Sequence, residues 1–219
     1  MSLNRQEPPS RVVVAITGAS GVGIGVRMLD LLRQDPGITS HVVISKAGAM
    51  TLQQECDLSQ SDVEAMADVA HRPSHIGASI ASGSTPVAAM LVAPCTVRTL
   101  SAIATGVSEN LIARAADVCL KEGTPLLLMV RESPLHRGHI AAMDAVAKAG
   151  GIIAPPVPAF YTRPSSVNDI IDGLARRALV RVGLTQFRGN QWKGLPADRS
   201  NPPALDLSAS GPGEGVSRG

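Results

Sequence analysis

The chain has 219 residues, of which 44% are hydrophobic, 17% charged and only 2% aromatic. Proteins that bind single-stranded nucleic acid or use an RRM sheet need several aromatic side chains on which bases stack, so this composition excludes both classes. The formal net charge of +2 gives no electrostatic reason to expect nucleic acid or an anionic membrane as a partner.

Strand and helix patterns alternate along the chain from residue 11 onward. Runs of β-branched and aliphatic residues predict five buried strands, at 11–17, 41–45, 88–93, 125–130 and 151–154. Apolar stripes at helical spacing predict helices at 21–34, 47–56, 61–70, 109–121, 133–150 and 166–182. Ser133 before Pro134, and Ser166 with Asp169, are the predicted caps of the last two helices. The alternation predicts an α/β protein whose parallel sheet is covered on both faces.

The predicted domain spans residues 11–187 and follows a short N-terminal tail of residues 1–10. Gly and Pro make up 10 of the 32 residues from 188 to 219, a level typical of low complexity. We therefore predict that residues 188–219 form a disordered tail.

The cysteines predict a cytoplasmic location. Cys56, Cys95 and Cys119 are odd in number and too far apart for a CxxC motif, so we expect them to be reduced. The first ten residues contain no apolar region of a signal peptide. No apolar run in the chain reaches the roughly 18 residues that a membrane span needs.

Ligands of parallel sheets bind beyond the carboxyl ends of the strands. The loops that follow the first four predicted strands are therefore the candidate ligand-binding segments. The first, from Thr17 to Gly25, has the sequence TGASGVGIG, which is neither a GxGxxG motif nor a P-loop. Its glycines let backbone N–H groups approach an anion at a helix N-terminus. The pattern favours a nucleotide or a flavin, and the alternative is a tight turn without a ligand.

The second and third loops offer hydroxyl and cationic donors. Ser45 and Lys46 stand where a dinucleotide-binding fold would place an acidic residue for the ribose hydroxyls, which favours a mononucleotide over NAD. The alternative is an ordinary helix start. The third loop, residues 94–106, presents donors directly after a strand: Thr96, Arg98, Thr99 and Ser101.

The fourth loop carries Arg131 and Glu132 directly after a buried strand, where unpaired charges are costly. We predict an anion clamp beside a carboxylate that can move a proton, and the alternative is a structural ion pair. Two histidine pairs are spaced to share a helical face but lack an obvious third ligand, so we expect no metal site: His71 with His75, and His136 with His139.

Seven motifs follow one another along the chain: TGASG, VVISKA, ASGS at 81–84, PCTVRTLSAIATG, LIARAADVCLKE, MVRESPLHRGH and PPVPAFYTRP. In this combination and order they resemble the UbiX-type flavin prenyltransferases, formerly described as aromatic acid decarboxylases of the Pad kind. The resemblance runs from about residue 11 to residue 184. It implies a Rossmann-like three-layer sandwich of the flavoprotein type.

The resemblance also implies an activity. Reduced FMN and dimethylallyl phosphate would bind, and the dimethylallyl group would be transferred to N5 and C6 of the flavin without a metal. The product, prenylated FMN, would serve a UbiD-type decarboxylase in ubiquinone biosynthesis or in aromatic acid breakdown. The family assembles as a homododecamer with its sites at subunit interfaces, and we expect the same of this chain.

Site residues follow from the resemblance by motif. FMN would be bound by Gly18, Ala19, Ser20, Ser45, Thr96, Val97, Arg98, Thr99 and Arg131. The phosphate of dimethylallyl phosphate would be bound by Lys121, Tyr161, Arg177 and Arg114. Either Glu132 or the released phosphate would be the base that removes a proton from C6, and Ser20 and Glu55 would complete the catalytic set, with Glu55 orienting the flavin edge.

Three features depart from the family pattern. Thr96 replaces a common serine and keeps its hydroxyl, and Gly123-Thr124 replaces a commonly basic pair. Ile76 and Ile80 lie near the position of a tryptophan in some relatives, which predicts that the wall around the prenyl group is aliphatic or comes from elsewhere.

The sequence also bears on three other functions. A flavin-dependent cysteine decarboxylase is disfavoured because the PASANT motif of that group is missing. Direct decarboxylation of aromatic acids is disfavoured because no residue set accounts for it without a partner. A non-enzymatic FMN-binding accessory subunit of an aromatic acid decarboxylase stays open as the main alternative.

Overall fold

The computed structural model describes residues 10–189, and its centre is a six-stranded parallel sheet. The strands are β1 (Ser10–Ile16), β2 (Ile38–Ile44), β3 (Val69–His71), β4 (Ala89–Cys95), β5 (Leu126–Val130) and β6 (Ile152–Ile153). They lie in the order β3–β2–β1–β4–β5–β6, and each described pair of neighbours is parallel. The order reverses between β1 and β4, so the ends of these two strands form the topological switch point.

Helices cover both faces of the sheet. They are α1 (Val22–Leu32), α2 (Lys46–Cys56), α3 (Gln60–Glu64), α4 (Val97–Thr105), α5 (Leu111–Glu122), α6 (Arg137–Lys148) and α7 (Val167–Arg181). The first three and α7 pack on one face, whereas α4, α5 and α6 pack on the other. This confirms the predicted α/β three-layer sandwich with a parallel sheet.

The central strands are apolar at nearly every position because both of their faces are covered. In β1, Val12 and Val14 belong to the core under α1 and α7. Val13 and Ala15 belong to the core under α4 and α5. All four side chains are buried. Successive residues of a strand point to opposite faces of the sheet, so β1 contributes to both cores and its carboxyl end is held in place from both sides.

The structure corrects the predicted helix over residues 61–70 and the predicted third loop. Helix α3 ends at Glu64, and residues 69–71 form the edge strand β3, which pairs with β2. Residues 97–105 of the predicted loop form α4, which buries Leu100 and Ile103. Polar residues at the start of this segment make the helical spacing of Leu100 and Ile103 hard to recognise in the sequence.

Two predicted boundaries were also wrong. Strand β4 continues through Pro94, with a register shift against β5 that accommodates a residue lacking a backbone donor. Helix α6 begins at Arg137 with His136 as its N-cap, so Ser133 does not cap it. The predicted capping box at the start of α7, made by Ser166 and Asp169, is confirmed.

Both predicted tails fall largely outside the described residues. Residues 1–9 and 190–219 are not described, so the two tails and the domain boundaries stay predictions. Between residues 10 and 189, no helix combines the length and the apolar character that crossing a membrane requires.

Candidate active site

Four strands end side by side at one edge of the sheet, and the residue that follows each strand lines a common cleft. These residues are Thr17 after β1, Ser45 after β2, Thr96 after β4 and Arg131 after β5. Backbone hydrogen bonds hold the strand ends together. The Ser45 N–H donates to the Ile16 carbonyl at 3.0 Å, and the Arg131 N–H donates to the Cys95 carbonyl at 3.1 Å.

The cleft has a volume of about 530 Å³, in the range of small-molecule sites. Its lining includes every residue predicted to contact FMN, namely Gly18, Ala19, Ser20, Ser45, Thr96, Val97, Arg98, Thr99 and Arg131. Glu132, the predicted proton-transfer residue, lines it as well. The fold therefore gathers in one place residues that are widely separated in sequence.

The N-termini of three helices meet at this cleft. Ser45 caps α2, Thr96 caps α4 and Asn110 caps α5, each by accepting a hydrogen bond from a backbone N–H in the first turn. A helix N-terminus carries unpaired N–H donors and about half a positive charge. Three such ends at one cleft favour an anionic ligand such as a phosphate group.

Gly18 lets the first loop lie directly against α2. A Cβ atom at this position would be 2.3 Å from the Ala47 Cβ and 2.9 Å from its carbonyl carbon, which no real side chain tolerates. The same loop ends at Gly21, whose φ of +98° is in the left-handed region that glycine adopts without strain. Both glycines are therefore required by the geometry of this wall of the cleft.

Thr17 was absent from the predicted site set, and the structure gives it a positioning role. It is buried, and its hydroxyl donates to the Pro94 carbonyl at 2.7 Å and accepts from the Thr96 N–H at 2.9 Å. These two bonds join the ends of β1 and β4 at the switch point. A hydroxyl at the end of a buried apolar run needs a hydrogen-bond partner. The position of Thr17 directly after such a run is therefore the feature of the sequence that could have identified it. Three other polar lining residues were also outside the predicted site set: Lys46, Glu109 and Asn110.

Glu55, predicted to orient the flavin edge, is not among the residues that line this cleft. Its carboxylate accepts hydrogen bonds from the N–H groups of Gly21 at 2.8 Å and Val22 at 3.3 Å. Negative charge is favoured at the N-terminus of a helix. Glu55 therefore stabilises the start of α1 and the end of the first loop. The role of Glu55 in orienting the flavin edge stays a prediction.

Arg131 and Glu132 do not form the structural ion pair that was the alternative prediction for them. Among residues 10–189, neither side chain takes part in an ion pair. The Glu132 Oε1 accepts a hydrogen bond from the Ser133 N–H at 3.0 Å, which fixes the carboxylate at the cleft. A cation and a carboxylate are thus both available to a ligand.

A second cleft, of about 600 Å³, is formed by the segment 157–164 and α7. Its lining includes Tyr161 and Arg177, two of the four predicted phosphate ligands. The other two, Arg114 and Lys121, lie on α5, line neither cleft and each pair with a carboxylate of the same helix. Helices α5 and α7 pack on opposite faces of the sheet, so one protomer does not bring the four together.

The two isoleucines of the predicted aliphatic wall have different environments. Ile80 is fully buried in the core under α4 and α5, whereas the side chain of Ile76 is 56% exposed. Ile76 is therefore the one of the two that a ligand or a second copy can reach. The role of both in the prenyl site stays a prediction.

The histidines are engaged with one another. His71 lies in β3, not on a helix with His75, and its Nε2 is 2.9 Å from the His41 Nδ1. Burial, together with the neighbouring His71, lowers the pKa of His41 to about 4, so this ring is neutral at pH 7. His136 stacks on His139 with ring centroids 3.6 Å apart. Within the described part of the chain, no group of three or more His, Cys, Asp or Glu is arranged to hold a metal.

A parallel sheet with a glycine loop and helix N-termini at its switch point defines a mononucleotide-binding α/β protein. The family model described as Flavoprotein matches residues 1–184, which makes the class a flavoprotein. The flavin prenyltransferase UbiX of Escherichia coli K12 is 47% identical over 175 residues, covering 80% of this chain and 93% of the relative. The chain belongs to the UbiX family of flavin prenyltransferases.

Two solved structures share the fold closely. AnUbiX (PadA1), in complex with FMN and dimethylallyl pyrophosphate, has 41% sequence identity and a TM-score of 0.80. A dodecameric FMN-dependent UbiX-like decarboxylase from Escherichia coli O157:H7 has 40% identity and a TM-score of 0.81. Each match covers 84% of this chain and all of the other.

Proposed function

We propose that the 530 Å³ cleft binds FMN. The observation that carries this proposal is that every residue predicted to contact FMN lines that one cleft. The donor set fits the ligand, because hydroxyls, guanidinium groups and helix N-termini are the groups that bind a phosphate monoester. No acidic residue follows β2 to hold the ribose of a dinucleotide, where Ser45 and Lys46 stand instead.

The proposed reaction joins the dimethylallyl group of dimethylallyl phosphate to N5 and C6 of reduced FMN. The bond from C1 to the phosphate oxygen breaks and its electron pair stays on the oxygen, while bonds form from C1 to N5 and from C3 to C6. N5 and C6 each lose a proton, C2 gains one and the phosphate takes up the other. The product carries an additional C5H8 unit, and no external oxidant or reductant is consumed.

The residues of the chain supply charge and proton transfer for this reaction. Glu132 lies at the cleft with a fixed carboxylate, so either Glu132 or the released phosphate is the base at C6. Without a metal, the charge that develops on the leaving phosphate requires fixed cations and donors. We assign these to Lys121, Tyr161 and Arg177, with Arg114 nearby.

We further propose that the chain assembles as a homododecamer in which a neighbouring copy completes the phosphate site. Lys121 and Arg177 lie on helices that cover opposite faces of the sheet, and a second copy can bring the two together. The segments around the second cleft expose Val157, Phe160 and Val167 by 70% or more, as an interface between copies requires. The relative from Escherichia coli O157:H7 is described as dodecameric.

Light scattering should give a molar mass about twelve times that of the 22.6 kDa protomer. Burial of exposed apolar side chains provides the free energy for this assembly. A monomeric mass with full prenyl transfer would contradict the shared site. Chain concentration is the control, because a specific assembly keeps its mass on moderate dilution.

Prenylated FMN made by this chain is proposed to serve a UbiD-type decarboxylase, and the chain is proposed to be cytoplasmic. Reduced cysteines are consistent with that location. Cys95 and Cys119 are buried, and this burial raises the pKa of each thiol to about 12, which keeps both protonated and unreactive.

Mass spectrometry of the flavin tests the proposed reaction. Incubation of the protein with reduced FMN and dimethylallyl phosphate, without oxygen, should yield a flavin heavier by C5H8. A reaction without dimethylallyl phosphate is the control and should return FMN unchanged. An unchanged flavin mass, with both ligands shown to be bound, would contradict the proposed function.

A further inference from the structure

The lining of the second cleft contains arginines besides Arg177 of the predicted phosphate site. It has four arginines and two aspartates, namely Arg163, Arg176, Arg177, Arg188, Asp169 and Asp172. Tyr161 adds a hydroxyl beside them.

Both aspartates are committed to the protein itself. Asp169 accepts hydrogen bonds from the Ser165 hydroxyl at 2.6 Å and from the N–H groups of Ser165 and Ser166 at 2.8 and 3.0 Å. Asp172 pairs with Arg176 on its own helix and with an arginine of α1. Within residues 10–189, Arg163 and Arg177 therefore have no carboxylate partner.

The backbone of Arg163 gives an independent reason to look for a ligand. Its φ of +50° and ψ of +59° lie in the left-handed region, which costs a side chain other than Gly or Asn about 1 kcal/mol or more. The residue ends the short turn Phe160–Thr162, and its N–H donates to the Phe160 carbonyl at 2.9 Å. Strain of this kind concentrates at binding sites, where the side chain has a use that offsets it.

We propose that Arg163 binds the terminal phosphate of dimethylallyl pyrophosphate and so determines whether this donor is used besides dimethylallyl phosphate. The inference rests on the proposed function. A pyrophosphate brings a second phosphate group with additional negative charge, and a guanidinium binds such a group through two parallel hydrogen bonds. Tyr161 and Arg177 then serve the phosphate next to the prenyl group, and Arg163 serves the outer one.

The chemistry with this donor differs only in the leaving group. The bond from C1 to the bridging phosphate oxygen breaks, and the electron pair leaves on that oxygen. Inorganic pyrophosphate is released in place of phosphate and takes up the same single proton. No further reactant is needed.

Steady-state kinetics with both donors tests the proposal, using the full chain and reduced FMN. The variant is Arg163→Asn, because asparagine tolerates a positive φ and the substitution removes the guanidinium group. It should lower kcat/KM for dimethylallyl pyrophosphate by at least about ten-fold, and that for dimethylallyl phosphate by less than about three-fold. Tyr161→Phe should lower both, because both donors share the inner phosphate. Arg181→Gln, which removes an exposed arginine of α7 outside the cleft, is the matched charge control and should change neither.

Titration calorimetry with inorganic pyrophosphate and inorganic phosphate gives a second measurement that needs no prenyl transfer. Arg163→Asn should reduce the affinity for pyrophosphate relative to phosphate by about ten-fold. An unchanged ratio, or equal losses of kcat/KM for the two donors, would overturn the role of Arg163 even if the wild-type protein makes prenylated FMN from dimethylallyl phosphate. A selective loss of pyrophosphate binding in a protein that prenylates no flavin would support Arg163 and reject the proposed reaction.

Discussion

Glu132→Gln is expected to lower the rate of prenyl transfer by about 10²–10⁴-fold, the range that a positioned general acid or base contributes. The substitution preserves shape, since the amide oxygen of glutamine can accept the hydrogen bond that the Ser133 N–H donates to Glu132 Oε1. It removes the ability to take up a proton. FMN binding should stay within about three-fold of wild type, because the lost group is not one of the donors that bind a phosphate.

Single-turnover formation of prenylated FMN measures this effect, and flavin fluorescence titration measures FMN binding. Glu109→Gln is the matched control, since Glu109 is a carboxylate at the same cleft to which the proposed reaction assigns no step. Equal losses in both variants would mean that negative charge, not proton transfer, is what the site needs. Full activity of Glu132→Gln would instead make the released phosphate the base.

The same variant separates the enzyme from a non-enzymatic FMN-binding accessory subunit. An accessory subunit needs only to hold its ligand, so Glu132→Gln would still support a partner decarboxylase. A prenyltransferase that has lost its base would no longer supply the cofactor, and decarboxylation would fall with prenyl transfer. Membership of the UbiX flavin prenyltransferases favours the second outcome.

An ion-pair network joins helix α1 to helix α7. Arg27 on α1 and Arg176 on α7 both donate to the Asp172 carboxylate, at 2.8 and 2.7 Å. Partial burial acts to raise the pKa of Asp172, but the hydrogen bonds from Arg176 and Arg27 outweigh it and lower that pKa. Helix α1 follows the first loop and α7 carries Arg177, so the network holds these two helices together within one protomer.

The sequence was sufficient to predict the first cleft because strand ends of a parallel sheet meet at one edge. Ser45, Thr96 and Arg131 each follow a buried strand directly, so their proximity needs no knowledge of side-chain packing. Helix α4 was missed because its first turn is polar, although Thr96 caps it and apolar residues line its inner face.

The sequence was not sufficient to predict the phosphate site. Whether Lys121 and Arg177 come close together depends on how helices pack on the two faces of the sheet and on contacts between copies. Neither of these produces a periodic pattern in the sequence. The left-handed backbone conformation of Arg163 could not be predicted either, because the sequence Thr-Arg-Pro at 162–164 is compatible with several turn conformations.

Gly18→Ala is expected to destabilise the fold by about 1–3 kcal/mol, as overpacking of a tight contact does, and to weaken FMN binding by at least about ten-fold. The new Cβ would be 2.3 Å from the Ala47 Cβ and 2.9 Å from backbone, so the first loop must move away from α2. Both elements line the cleft, and their separation displaces the donors of Ser45 from those of the first loop. Chemical denaturation and flavin titration measure the two effects.

Two further variants test the steric cause of that loss. Gly173→Ala in α7 has open space around its Cβ position and should stabilise the protein by about 0.5–1 kcal/mol, because alanine is the better helix former. Adding Ala47→Gly to Gly18→Ala removes the shortest contact but leaves the backbone contact at 2.9 Å, so the pair should recover only part of the lost affinity. No recovery at all would mean that the Cβ contact with Ala47 is not the cause of the loss, which then lies in the backbone contact or in the ligand itself.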